Sequence, residues 1–275
     1  MNSSRPLPND IKEIHKDFTL CGKPRNSLFA IPDDLFSYVL CFLRDEPPSF
    51  PKASVEQWMG LIDILNHNRI VPFLFSRVGV LPEPLRPPKC IVDIMRVHFL
   101  ASRVRNMVMD LQLSRILSAF KQEQVRALVM KGPAIAWSAY PDPAMRPYDD
   151  LDLLVLPEQF LKARGIMESL GYRCEARIFE TLKNVQFEEQ FVCQDRPAKS
   201  LLVEMHWDLH RFYGAKRNME LEDLFHHATT VNASTLRFDT FNPVDAILHI
   251  VSHTGLSHTK DIRLVATVEI LIKSG

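Results

Sequence analysis

Residues 128–155 read LVMKGPAIAWSAYPDPAMRPYDDLDLLV and contain the change of pattern that decides the fold. The segment opens on a short apolar run that ends at Lys131-Gly132, which is typical of a β-strand closed by a Gly-Pro turn. Pro133 suits the first turn of a helix, so PAIAWSAY is predicted to be helical. DLDLLV at the other end has the composition of a buried strand. The stretch therefore predicts a strand, a helix and a second strand in succession.

The chain before this stretch has helical periodicity from residue 32 to residue 122. Ser54 is of a residue type that commonly begins a helix. A long amphipathic stretch runs from about Cys90 to Gln122. The apolar stripe rotates beyond residue 112, where we expect a bend or break. The predicted apolar face of this stretch consists of Ile94, Val97, Ala101, Val104, Val108 and Leu111. We predict an irregular arm over residues 1–31 and a helical region over residues 32–122.

The chain after this stretch continues as an α/β unit and then returns to helix. EQFLKARGIMESLGY predicts a helix with Gly171 as its C-terminal cap, and NVQFEEQFVC and SLLVEMHWDL predict two further strands. We assign residues 123–212 to an α/β core and residues 213–275 to a C-terminal helical region. The predicted fold class is α+β, with a short mixed sheet between two helical regions.

The composition excludes several classes of protein. The chain has 275 residues with 33 Lys plus Arg and 33 Asp plus Glu, so its formal net charge is zero. Proteins that bind long nucleic acids usually carry a basic surplus, which is absent from this sequence. No apolar run reaches the length of a membrane span. Five scattered cysteines without a CxxC pair predict reduced thiols, and we expect a soluble cytoplasmic protein.

Three carboxylates stand in two of the predicted strands. Asp150 and Asp152 are two residues apart, so their side chains share one face of a strand, and Glu204 lies in the apolar run LLVEMHW. If the two strands are neighbours, the three groups converge, and like charges at that distance need a cation. Carboxylate oxygens suit Mg²⁺ or Mn²⁺, and two such ions can bind both reacting oxygens of a phosphoryl transfer. The sequence therefore predicts a metal site at Asp150, Asp152 and Glu204.

Lys131 and Gly132 are predicted to bind phosphate groups. Glycine lets a ligand approach the backbone, and the helix that follows offers N–H groups at its N-terminus. Lys131 adds a positive charge, and Arg146 adds another four residues before Asp150. A Gly-Pro pair also commonly ends a strand without any role in binding. Only the order of the motifs favours the functional interpretation.

Other polar residues near these motifs have two interpretations each. His206 shares a strand face with Glu204 and is predicted either to touch the metal site or a substrate hydroxyl, or to be structural. Asp149 is predicted to support Asp150 without binding the metal itself. His249, His253 and His258 have spacing that could hold zinc, although core or surface histidines are the favoured interpretation.

The order of these motifs resembles an uncharacterised bacterial nucleotidyltransferase family of the polymerase-β-like superfamily. The resemblance rests on residues 128–155, on Gly171-Tyr172 and on VEMHWDLH at 203–210, and it extends from residue 32 to the C-terminus. It implies a polymerase-β-like core in which Asp150 and Asp152 bind catalytic metals and Glu204 is the third carboxylate. It also implies that Lys131 and Gly132 face the nucleotide phosphates.

The predicted activity is transfer of a nucleoside monophosphate from an NTP such as ATP to a hydroxyl or phosphate of an acceptor, with release of pyrophosphate. A neutral chain favours a small-molecule or protein acceptor over long nucleic acid. Two alternatives stay open. One is a non-catalytic binding or scaffold protein, because Pro133 stands where the superfamily usually has a phosphate-binding Ser or Gly. The other is a metal-dependent phosphotransferase that uses the same carboxylates.

Overall fold

A computed structural model describes residues 31–44, 46–193, 201–209, 221–233 and 236–257, with side chains in the last helix described as far as Ser252. The predicted N-terminal arm before residue 31 and the predicted helix in IRLVATVEILI lie outside the described residues. None of the described helices is both long enough and apolar enough to cross a membrane.

Four helices precede the sheet and share an apolar core. The third begins one turn after the second, and the fourth is preceded by a Pro-rich segment. The helix that starts after Ser54 has a capping box, in which the Ser54 hydroxyl accepts from the Gln57 backbone and the Gln57 side chain accepts from the Ser54 backbone. The four are α1 (Asp33–Leu43), α2 (Val55–His67), α3 (Val71–Gly79) and α4 (Lys89–Gln122).

Helix α4 runs without interruption for 34 residues, about 51 Å. The predicted break near residue 112 is therefore wrong. The predicted apolar face is also wrong for most of its length, because Val97, Val104 and Leu111 are exposed to solvent. The face that is buried instead combines apolar and polar side chains: Met95, Phe99, Ser102, Asn106, Met109, Asp110 and Leu113. The polar members are tolerated because they form hydrogen bonds to the segment that leads into the second strand.

The described strands form one mixed sheet in the order β3-β4-β5-β2-β1-β7-β6. Strands β2 and β5 are parallel neighbours, as are β1 and β7, and the remaining pairs are antiparallel. The strands are β1 (Ala127–Met130), β2 (Asp150–Val155), β3 (Tyr172–Cys174), β4 (Glu188–Cys193), β5 (Leu202–His206), β6 (Thr229–Asn232) and β7 (Arg237–Thr240). The helices between and after them are α5 (Lys131–Ala139), α6 (Phe160–Ser169), α7 (Phe179–Leu182), α8 (Leu221–His226) and α9 (Pro243–Ser257).

The part of the chain predicted as the C-terminal helical region contains two strands as well as helices. Strand β7 pairs in parallel with β1, and the Thr240 hydroxyl donates to the Val129 carbonyl at 2.7 Å. Strand β6 then pairs with β7 and forms the edge of the sheet. The segments are short and rich in threonine, valine and phenylalanine, which suit a pleated surface better than a helix.

Alternate residues of β2 point to opposite faces of the sheet, and this places the two aspartates on the same face. Leu151, Leu153 and Val155 point into the main apolar core, which also contains residues of α4 and α6. Asp150 and Asp152 alternate onto the opposite face. The apolar burial of three leucine and valine side chains thus fixes which way the two aspartates point.

Candidate active site

Strands β2 and β5 lie side by side, so the three predicted carboxylates are brought to one face of the sheet. In the parallel register Asp152 is directly opposite Glu204, and Asp150 is opposite Leu202. Asp152 is 1 % exposed, and Glu204 is partly buried. His206, two residues after Glu204 on β5, points to the same face and is also buried. The strand pairing therefore produces a compact acidic cluster with one imidazole.

Asp152 is the centre of this cluster. Its Oδ1 accepts a hydrogen bond from Lys131 Nζ at 2.6 Å and lies 3.2 Å from His206 Nε2. The second imidazole nitrogen, His206 Nδ1, lies 3.1 Å from Glu188 Oε2. His206 is thus held between two carboxylates, and this fixes the orientation of its ring.

Lys131 reaches Asp152 because of the backbone at the end of β1. Met130, the last residue of β1, is opposite Asp152 in the antiparallel pair with β2. The next residue, Lys131, has a φ of 48°, in the left-handed region that non-glycine residues seldom adopt. The chain turns there into α5, and the Lys131 side chain points across the strand to Asp152. A strained backbone conformation at this point is typical of functional sites.

Strand β4 contributes two further polar side chains to the same face. Gln190 lies opposite Glu204, and its Nε2 donates to Glu204 Oε1 at 3.0 Å. Glu188 lies opposite His206 and contacts its ring. Neither residue is predicted from the sequence. Their alternation in the strand FEEQF is the signal that could have found them, once β4 is known to be next to β5.

The surroundings give the carboxylates different proton affinities. Burial raises the pKa of Asp150, and the charge on Asp152 raises it further. Burial, together with the charges of Asp152 and Glu188, raises the pKa of Glu204 to about 8. Glu204 and Asp150 therefore hold protons more strongly than ordinary carboxyl groups do.

Asp152 and Lys131 form the charged pair of the cluster. Burial acts to raise the pKa of Asp152, but the charge of Lys131 and the hydrogen bond with His206 outweigh it and hold this pKa well below its usual range. Burial likewise acts to lower the pKa of Lys131, and Asp152 outweighs it in the opposite direction. One lysine thus balances one carboxylate, and the remaining acidic groups need another cation to be fully ionised together.

The donor atoms of the cluster fit a divalent ion. One ligand atom each from Asp152, Glu204 and His206 lie within 4.8 Å of one another. Carboxylate oxygens suit Mg²⁺ and Mn²⁺, and an imidazole suits Mn²⁺ or Zn²⁺. Burial first, and then the negative charges of Asp152 and Glu188, raise the pKa of Glu204, and a bound cation would offset the part that comes from these charges. A metal at this position is therefore compatible with the residues present.

Gly132 is explained by close packing against the segment before β2. A Cβ atom at Gly132 would lie 3.0 Å from Tyr148 Cβ and 3.3 Å from the carbonyl oxygen of Asp150. Glycine thus lets the first turn of α5 approach the strand that carries the aspartates. The predicted contact of Gly132 with nucleotide phosphates stays a prediction.

Tyr148 is fixed from its other side by α4. Its hydroxyl donates to Asp110 Oδ1 at 2.5 Å, and Trp137 Nε1 of α5 donates to Asp110 Oδ2 at 3.2 Å. Burial raises the pKa of Asp110 even though both hydrogen bonds act to lower it. This buried network joins α4, α5 and the start of β2 directly beside the carboxylates.

Asp149 and Arg146 lie in the segment before β2, and both contact residues of the helical region. Asp149 forms ion pairs with Arg69, in the link between α2 and α3, and with Arg105 of α4. The Arg146 carbonyl accepts from the Asn106 side chain at 3.2 Å. Asp149 therefore anchors the start of β2 to the helices, and the predicted role of the Arg146 side chain in nucleotide binding stays a prediction.

A cleft opens beside Lys131, between α5, the β6–β7 pair and α9. Its walls are mainly apolar, with Ile135, Val231 and Phe241 among them, and the hydroxyl groups of Thr229 and Ser138 add polar points. His249 also lines the cleft. Of the other two histidines in the zinc alternative, the side chain of His253 and all of His258 lie outside the described residues.

The sequence matches the family described as uncharacterised nucleotidyltransferase over residues 54–272. This match covers most of the chain and includes every residue of the carboxylate cluster. The chain belongs to this nucleotidyltransferase family, which confirms the resemblance seen in the sequence, and the predicted α+β fold class is confirmed as well. A comparison with curated proteins gave no match.

Several solved structures are similar in part. The lincosamide antibiotic adenylyltransferase LnuA, bound to lincomycin, has 13 % identity and a TM-score of 0.39, over 57 % of this chain and 95 % of that one. ANT(2")-Ia in complex with adenylyl-2"-tobramycin has 14 % identity and a TM-score of 0.40, over 60 % and 94 %. An antigenic nucleotidyltransferase-like protein from Paracoccidioides brasiliensis has 16 % identity and a TM-score of 0.40, over 60 % and 76 %. The assignment to the family rests on the sequence match over residues 54–272 and not on these structural similarities.

Proposed function

We propose that this protein is a Mg²⁺- or Mn²⁺-dependent nucleotidyltransferase. It would move a nucleoside monophosphate from an NTP to a hydroxyl or phosphate of a small-molecule or protein acceptor and release pyrophosphate. The observation that supports this most is the direct opposition of Asp152 and Glu204 across β2 and β5, with Asp150 two residues earlier on the same face. Family membership gives the reaction class. The scattered cysteines favour a cytoplasmic setting.

Asp150, Asp152 and Glu204 would hold the metal, and His206 would join them, since one ligand atom each of Asp152, Glu204 and His206 lie within 4.8 Å of one another. A divalent ion bound there supplies positive charge for the NTP phosphates and for the oxygen of the acceptor. Glu204 has one carboxylate oxygen engaged by Gln190 and a second, Oε2, 4.0 Å from His206 Nε2. That second oxygen is suited to take the proton from an acceptor hydroxyl.

Lys131 would change its role when metal and nucleotide bind. With Asp152 holding a divalent ion, the Lys131 ammonium would be released from that carboxylate and could bind the β- and γ-phosphates. Arg146 and the backbone near Gly132 are proposed to bind the remaining phosphate oxygens. The cleft beside Lys131 has mainly apolar walls with hydroxyl groups, which would suit an apolar part of a small acceptor or of the nucleoside.

A second candidate function is a binding protein that has lost turnover. The specific observation in its favour is the 2.6 Å contact of Lys131 Nζ with Asp152 Oδ1, which places a protein cation where a metal would bind. Pro133 also removes a backbone N–H from the first turn of α5. The two candidates predict opposite results in a nucleotide titration.

The test is a thermal-shift titration of each NTP with and without Mg²⁺. A ligand that binds only the native state raises Tm, so the nucleotidyltransferase predicts a Mg²⁺-dependent rise in wild type that is lost in Asp150→Asn/Asp152→Asn. Glu158→Gln removes an exposed carboxylate and should keep the shift. ATP labelled at the α or the γ phosphate then separates nucleotidyl transfer from phosphoryl transfer. No shift with any nucleotide supports the binding protein instead.

A further inference from the structure

Strand β4 places a second row of polar side chains beside the acidic face of β5. Glu188 lies opposite His206, and Gln190 lies opposite Glu204. Each contacts the residue that it faces, Glu188 at the imidazole ring and Gln190 at a carboxylate oxygen. Both groups that β5 offers to a metal are therefore held from outside by a residue of β4. Proteins fix the orientation of metal ligands with outer partners of this kind.

The imidazole of His206 presents its two nitrogens to different groups. Nδ1 lies 3.1 Å from Glu188 Oε2, whereas Nε2 lies 3.2 Å from Asp152 Oδ1 and 4.0 Å from Glu204 Oε2. An ionised carboxylate can only accept a hydrogen bond, so Glu188 keeps a hydrogen on Nδ1. Nε2 is then the nitrogen that can bind a metal, once the hydrogen that it directs at Asp152 is released.

The ring has little freedom to take another orientation. The His206 side chain is 7 % exposed, and the Glu188 side chain beside it is 31 % exposed. The imidazole therefore cannot turn to solvent, while Glu188 sits at the border between the cluster and water. A histidine held in this way by one carboxylate, with its other nitrogen aimed at two more, has the arrangement of a carboxylate–histidine–metal unit.

A nitrogen ligand changes which ion the cluster prefers. Mg²⁺ takes oxygen ligands and keeps several of its waters. First-row transition ions also accept imidazole nitrogen, and Mn²⁺ is the member of that series that suits a site rich in carboxylates. The ligand atoms of Asp152, Glu204 and His206, which lie within 4.8 Å of one another, comprise two oxygens and one nitrogen. This donor set fits Mn²⁺ better than Mg²⁺.

We propose that Glu188 makes His206 Nε2 a metal ligand, and that the site therefore binds Mn²⁺ more tightly than Mg²⁺. Glu188 is a positioning residue, because it acts through the imidazole. The inference deepens the proposed function and rests on it for the presence of a metal at Asp152 and Glu204. It does not depend on which nucleotide or acceptor binds.

The first test is an electron paramagnetic resonance titration of Mn²⁺ into the full chain, without a histidine tag and without nucleotide. Binding removes the sharp signal of free Mn²⁺, and Mg²⁺ restores this signal when it displaces the bound ion. We expect Mn²⁺ to bind at least about tenfold more tightly than Mg²⁺. The spin echo of bound Mn²⁺ should show modulation from an imidazole ¹⁴N nucleus. His206→Gln should lose this modulation and most of the preference for Mn²⁺, whereas His67→Gln removes an exposed imidazole and should keep both.

The second test separates the hydrogen bond of Glu188 from its charge. Glu188→Ala removes both, and Glu188→Gln removes only the charge, because the amide oxygen can still accept from Nδ1. Loss of an outer partner costs about 10–100-fold in metal affinity, so Glu188→Ala should weaken Mn²⁺ binding by that factor and Mg²⁺ binding much less. Glu188→Gln should keep the ratio of the two affinities and the ¹⁴N modulation. Glu158→Ala is the matched control, since it removes an exposed carboxylate and should change neither.

The proposal is wrong if Mn²⁺ does not bind up to about 1 mM, if Mg²⁺ binds as tightly, or if bound Mn²⁺ shows no ¹⁴N modulation. A Glu188→Ala variant that keeps the ratio of the two affinities would mean that Glu188 does not orient the ring. The thermal-shift titration with NTPs tells this failure from that of the proposed function. Nucleotide binding at a site that prefers Mg²⁺ would contradict only the inference, and Mn²⁺ bound through imidazole without any nucleotide shift would contradict only the proposed reaction.

Discussion

Lys131 is the residue on which the state of the carboxylate cluster depends. It is the cation that lets a buried Asp152 stay ionised, because its side chain is mostly shielded and bonded to that carboxylate. Three carboxylates without a cation would repel one another strongly. Before a metal binds, the lysine performs the neutralising role that the metal would take over.

Replacing Lys131 with methionine should make the fold depend on divalent metal. Loss of one partner of a buried ion pair costs about 3–5 kcal/mol, so we expect a clear fall in Tm in the presence of EDTA. Added Mg²⁺ should raise Tm more in the variant than in wild type. Lys162→Met is the control, because the Lys162–Glu123 pair is exposed and its loss should have little effect. Equal Mg²⁺ shifts in wild type and Lys131→Met would mean that no metal binds next to Asp152.

The sequence allowed part of this cluster to be predicted. The two-residue spacing of Asp150 and Asp152, and the position of Glu204 in an apolar strand, fix which faces the side chains take. The contact of Lys131 with Asp152 could not be read from the sequence, because it depends on a left-handed backbone at residue 131. The contact between Glu188 and His206 depends on the register between β4 and β5, which only the folded sheet defines.

At the scale of elements, the approach of α5 to β2 requires Gly132. A Cβ there would meet Tyr148, whose ring cannot move away easily because Asp110 binds its hydroxyl. Gly132→Ala should therefore destabilise the protein by about 1–3 kcal/mol and reduce nucleotide binding, as overpacked sites do.

Gly165→Ala is the matched control for this substitution. Gly165 lies inside α6, and a Cβ there would meet no atom within 4 Å. Alanine should stabilise the helix by about 0.5–1 kcal/mol. Urea unfolding of both variants measures the difference. A Gly132→Ala variant as stable as Gly165→Ala would show that α5 and β2 do not pack this closely.

Helix α4 shows a case in which sequence periodicity does not predict which face of a helix is buried. Helix α4 has two apolar faces, and the stripe through Val97 and Val104 has the more regular pattern. The fold buries the other face because Ser102 and Asn106 bond to the backbone carbonyls of Pro143 and Ala144, some forty residues away. Partners so distant in the chain leave no local signal. Strand β7 was missed for a similar reason, since its pairing with β1 joins segments more than a hundred residues apart, and β6 has β7 as its partner.

At the scale of the whole molecule, α4 connects two apolar cores. Its N-terminal part, with Ile91 and Met95, belongs to the core of α1, α2 and α3. Its later part, with Met109 and Leu113, belongs to the core under the sheet. A continuous helix makes the two cores unfold together, because melting either end removes packing from the other.

We therefore expect wild type to unfold in one calorimetric transition and His98→Pro to unfold in two. Proline inside a helix costs about 3 kcal/mol and breaks the hydrogen bonding between the two ends of α4. His98→Gly is the control: it costs about 1 kcal/mol but keeps the helix continuous, and it should lower a single transition. If His98→Pro also gives one transition at a lower temperature, the cores are coupled by contacts outside the helix, of which the ion pair of Arg69 with Asp149 is the first to examine.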